Sequence, residues 1–190
     1  MKIFIRITLY VFSTTLIILT SICLILSMIS SSYAISLDEK LILAVEKQAG
    51  EALSSKHQMR YQGSGGGFKN NKISMSALSF TIVKPLNKHD ARHLIVDSIH
   101  EFLKTINDNN ELSPYLLNNP FTINNIELTI FTTLPNGNSY YDPFLSVVCT
   151  HNGKIYYRSY DPDKKYHYKI DDVETFEEAL QILAKEKLTL

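Results

Sequence analysis

The sequence predicts an α+β fold: a mostly antiparallel sheet of about five strands with helices packed on one face. Three observations point to it. Segments with period-two alternation are bunched in the second half of the chain, at residues 126–134, 144–151, 154–160 and 166–171. The links between them are rich in turn residues, above all Asn152-Gly153. Segments with helical periodicity stand before and after that cluster rather than between successive strands, as a parallel α/β sheet would require. The expected order is α-β-α-β-β-β-β-α behind an N-terminal signal peptide.

Residues 1–34 read as that signal peptide. Lys2 and Arg6 form a basic start, no further charge occurs before Asp38, and the stretch between is apolar to about Ile29. Ser32-Tyr33-Ala34 places small residues where a peptidase cuts, so cleavage is expected after Ala34. The alternative is an uncleaved N-terminal membrane anchor, oriented by Lys2 and Arg6 with the body outside. Either way the expectation is an exported protein, periplasmic or secreted.

Residues 35–61 carry a helix, expected over 37–55. Ser36 and Glu39 make a capping-box pattern, and Leu37, Leu41, Ala44, Val45, Ala52 and Leu53 form its apolar stripe. Gln62-Gly-Ser-Gly-Gly-Gly67 holds four of the seven glycines, so residues 62–72 read as a flexible loop. It lacks the Gly-Lys-Ser/Thr of a phosphate-cradling loop. No other cofactor motif is present, and none is expected.

Residues 73–190 form the α+β domain. A strand is expected over 73–84, with a bend near Ala77 where the alternation changes parity. Asn87 caps a helix over 88–107 whose apolar face is Ala91, Leu94, Ile95, Ile99, Phe102, Leu103 and Ile106. The connector to residue 125 places Tyr115, Leu116, Leu117 and Phe121 at one end of the core. Asn152-Gly153 suits a two-residue type I′ hairpin, which sets Val147 opposite Arg158, Cys149 opposite Tyr156 and His151 opposite Lys154. Thr175 and Glu178 cap a final helix with Phe176, Ala179, Leu180 and Leu183 inward.

The chain carries 19 basic and 19 acidic residues; loss of Lys2 and Arg6 with the leader leaves 17 against 19, a formal charge of −2. That balance offers no positive field for nucleic acid or a lipid surface, so membrane contact is expected only through an uncleaved leader. The 156 residues after Ala34 are enough for one domain. Only Cys149 follows the leader, which excludes an internal disulfide there.

Two surfaces emerge as candidates. Tyr156, Arg158, Tyr160, Tyr166 and Tyr168 concentrate aromatic and cationic side chains near the hairpin, the types enriched in binding hot spots. Their expected partner is another envelope or extracellular protein, and the expected function is non-enzymatic binding. On the helix at 88–107, His89, His93 and Asp97 recur at i, i+4 spacing and could ligate zinc or copper, the basis of an alternative reading as a metal-dependent or hydrolytic enzyme. Cys149 and His151 share a strand face, but their two-residue separation is long for a nucleophile–base pair. No catalytic triad or Cys-x-x-Cys motif is present.

Overall fold

The computed structural model describes residues 20–21, 36–164 and 167–188. The residues expected to form a signal peptide, apart from Thr20 and Ser21, lie outside the described residues, as does Tyr166. Among the described residues, no helix is long and apolar enough to cross a membrane. One compact unit spans Asp38–Leu190.

Its elements are α1 (Leu37–His57), β1 (Arg60–Lys69), β2 (Lys72–Ile82), α2 (Lys88–Asn107), β3 (Ile126–Thr132), β4 (Val147–His151), β5 (Lys154–Tyr160), β6 (Tyr168–Thr175) and α3 (Phe176–Leu188). The fold is α+β, with three helices and one six-stranded mixed sheet in the order β1-β2-β3-β4-β5-β6. All neighbours run antiparallel except β2 and β3, which are parallel. The sheet thus has one more strand than expected, and one parallel pair. The parallel pair has a topological cause: β2 and β3 are separated by α2 and a long connector, a crossover rather than a hairpin.

The extra strand is the glycine-rich segment. Residues expected to form a flexible loop instead make β1, paired along β2 from Arg60↔Thr81 to Lys69↔Lys72. Asn70 and Asn71 close that hairpin at φ 53° and 56°, a left-handed conformation that asparagine tolerates. Glycine permits two close approaches, one between β1 and β2 and one between α1 and β1. A Cβ on Gly66 would stand 2.8 Å from the Met75 carbonyl oxygen, and one on Gly50 of α1 would stand 2.8 Å from the Tyr61 ring. Because α1 rests on this strand, its buried stripe is Ile42, Val45, Glu46, Ala49, Gly50 and Leu53. The expected stripe members Leu37, Ala44 and Ala52 are exposed. Gly50 stands in the stripe because the Tyr61 ring lies against it, and Glu46 because Ser76 donates to its carboxylate at 2.6 Å.

Elsewhere local signals set local structure. Asn87 accepts the Asp90 amide at 2.8 Å and α2 spans the expected residues. The Thr175–Glu178 box closes reciprocally, at 2.7 Å from the Thr175 amide and 3.1 Å from the Glu178 amide. Asn152 and Gly153 adopt φ 48° and 74°, and the β4–β5 register is the one the turn predicts. Leu112, Leu116, Phe121 and Ile123 of the connector join the continuous core, which includes Phe80, Ile95, Phe102, Leu128 and Tyr157.

Register assigns each strand residue to a face. Ser76, Leu78, Phe80, Leu128, Ile130, Val148, Ile155, Tyr157 and Glu174 point to the side the helices cover. Ala77, Ser79, Glu127, Thr129, Phe131, Cys149, His151, Tyr156, Arg158 and Val173 point to the other, which no described helix covers. A helix α3 that antiparallels α2 completes the covered layer: His100 meets Phe176 edge-on at one end, and His93 meets Glu186 at the other.

Candidate functional site

Two places in this frame gather side chains of chemical interest, one on the open sheet face and one on the seam between α2 and α3.

On the open face, β5 presents Tyr156 and Arg158 two residues apart, hence on the same side. The Arg158 guanidinium lies 4.6 Å from the Tyr156 ring centre and 4.8 Å from that of Tyr168, so it sits between two aromatic faces. Its Nε donates to Asp171 at 2.7 Å. Tyr160 stacks on Tyr168 with centroids 5.6 Å apart and planes 18° apart. Four of the five residues named from sequence therefore assemble, while Tyr166 lies outside the described residues. Val173 and Phe131, on the same face, are 51% and 36% exposed. Toward β1 the face is floored by small residues, and Gly63, Gly65, Ala77, Ser79 and Thr129 line a trough of about 410 Å³.

Cys149 lies on this face too. Burial pushes its thiol up, opposed only in part by Arg158, so little thiolate forms near neutrality. His151 turns to Glu127 instead, meeting its carboxylate through Nδ1. The pair does not form a nucleophile and base.

On the helical side, the structure separates the three residues read as a metal set. Asp97 turns toward α1, where its carboxylate lies 2.7 Å from Lys56 Nζ and 2.9 Å from His57 Nε2. Burial would raise the Asp97 carboxyl, but Lys56 and His57 outweigh it and hold it below its ordinary value. His89 and His93 do come together, with ring centroids 4.8 Å apart. Their third companion is Glu186 of α3, whose Oε2 lies 3.0 Å from His93 Nε2 and 3.4 Å from His89 Nε2. Beside them, Val96, Leu180, Leu183 and Ala184 line a cavity of about 440 Å³ whose rim includes His93. Sequence reasoning missed Glu186 because it lies 93 positions from His93. Its only local signal was a polar position on an amphipathic helix.

A third cluster is structural. Arg92 and Glu174, each 8% exposed, form a two-pronged pair at 2.7 and 2.8 Å, and the Tyr157 hydroxyl donates to Glu174 at 2.6 Å. Burial would raise Glu174, but the Arg92 and Tyr157 hydrogen bonds hold it below its ordinary value. Burial, with Glu174 adjacent, pushes the Tyr157 hydroxyl far up, so it stays protonated as a donor. Sealed between α2 and the sheet, the cluster ties the last strand to the middle helix.

Comparison with known proteins finds no matching family model, no matching curated protein and no matching solved structure.

Proposed function

We propose that this protein is an exported, non-enzymatic binding domain that engages another envelope or extracellular protein through the open face of its sheet. The observation that carries the reading is the aromatic–cation ladder of Tyr156, Arg158, Tyr168 and Tyr160, set beside exposed Val173 and Phe131 on an uncovered face. Stacked tyrosines lose little side-chain freedom on binding, and an arginine held between them is already oriented, so such a surface supports tight contact at low ordering cost. Exposed apolar groups on the same face favour a partner that presents apolar side chains at the centre and polar ones at the rim. The basic start, apolar run and Ser32-Tyr33-Ala34 of the leader support export.

Affinity capture with crosslinking tests the binding reading when done in parallel with the wild type and a Tyr156→Ala/Arg158→Ala variant, followed by titration of the purified partner. The expected result is one partner whose affinity falls at least tenfold in a variant that still melts cooperatively. Equal affinity for both proteins, or no partner captured, ends the reading. Export is checked separately: the protein recovered outside the cytosol should begin at Ile35, and an intact Met1 there rules out cleavage.

A further inference from the structure

We propose that the seam between α2 and α3 is a transition-metal site, best suited to zinc, with His89, His93 and Glu186 as ligands. Tetrahedral zinc with ligand bonds of about 2.0–2.1 Å sets its donor atoms roughly 3.3 Å apart. The Glu186 oxygen stands 3.0 Å and 3.4 Å from the two imidazole Nε2 atoms, and all three donor atoms lie within 4.8 Å of one another. Only small side-chain rotations would bring them to tetrahedral spacing. Two imidazoles and a carboxylate suit zinc by ligand type and leave a fourth position for water.

A second feature fits the same role. His89 Nδ1 lies 3.3 Å from Asp90 Oδ1, so its far nitrogen is turned to a carboxylate while Nε2 faces the cluster. Metal-binding histidines are typically oriented by such a hydrogen bond. The other histidine–carboxylate contacts, His57–Asp97 and His151–Glu127, bring no third ligand among the described residues. Because Glu186 comes from near the end of the last helix, a bound ion would pin α3 to α2. The site lies on the layer opposite the Tyr156–Arg158 surface, so it goes beyond the binding reading and fails or succeeds independently of it.

Titration of the tag-free protein with zinc sulfate, by calorimetry or competition with a chromophoric chelator, tests the site. One zinc per chain is expected. Affinity should fall about 100-fold in His93→Ala and Glu186→Gln and about tenfold in Asp90→Asn, with Asp97→Asn unchanged. Zinc at about 100 times its dissociation constant should raise the melting midpoint of the wild type by roughly 5–10 °C and leave that of His93→Ala where it was. His89, His93 and Glu186 are partly exposed, with side chains 58%, 48% and 31% accessible, so these variants should fold. No zinc taken up at millimolar concentration, or equal affinity in His93→Ala, overturns the proposal.

Discussion

Two arginine–carboxylate pairs sit on opposite faces of the same sheet. On the covered face Arg92 holds Glu174 with two hydrogen bonds, Tyr157 adds a third, and the pair is nearly sealed from water. On the open face Arg158 meets Asp171 through one, and Asp171 keeps 53% of its side chain in solvent. Both pairs have tyrosine neighbours. What differs is the helical layer, and it changes the physics: a buried pair is costly to break because the survivor is left charged in a poor solvent, whereas an exposed one is rehydrated. Similar residue chemistry therefore serves as structure on one side and as available surface on the other.

The contrast is sharpest in a pair of truncations. Glu174→Ala, which strands Arg92 and removes the acceptor of Tyr157, should cost about 3–5 kcal/mol in denaturant unfolding. Asp171→Ala should cost about 0–1 kcal/mol. Similar losses in the two would erase the distinction.

Adjacent glycines of β1 make a second comparison across the same faces. A methyl group on Gly66 would press on the Met75 carbonyl, and Gly66→Ala should destabilise by about 1–3 kcal/mol. A methyl group on Gly65 meets nothing within 4 Å, so Gly65→Ala should be neutral or stabilising by up to about 1 kcal/mol, as judged by melting midpoints. A loss at Gly65 as large as that at Gly66 would mean that chain flexibility, not close approach, is what the glycines supply.

The smallest effect separates two carboxylates within the covered layer. Burial raises Glu46 above its ordinary 4.5, only partly offset by hydrogen bonds from Ser76 and Ser64. Glu174 is held below 4.5. A depressed group contributes stability above its ordinary value and loses it as pH falls through the folded one. A raised group contributes below its ordinary value and loses that stability as pH rises through the folded one. Glu46→Gln keeps an acceptor for Ser76 without a buried charge, so at pH 7 it should gain up to about 1 kcal/mol, and the gain should vanish below pH 4. Urea unfolding at the two pH values checks the sign; a loss at pH 7 would mean that the ionised carboxylate is itself needed.

Whatever depends on a few neighbouring residues was legible in the chain. Asn87 and the Thr175–Glu178 box fixed helix starts because orphan amides must find acceptors nearby, and Asn152-Gly153 fixed a register because its positive φ values admit one hairpin geometry. That register in turn placed Tyr156 and Arg158 together. The glycine run misled because low strand propensity marks coil in isolation; pairing with β2 and contact with α1 overrode it. Tertiary structure alone made β2 and β3 parallel, turned Asp97 to Lys56, and brought Glu186 to His89 and His93. Each of these joins residues distant along the chain, and helix crossings and strand order follow from packing a whole core rather than from any local periodicity.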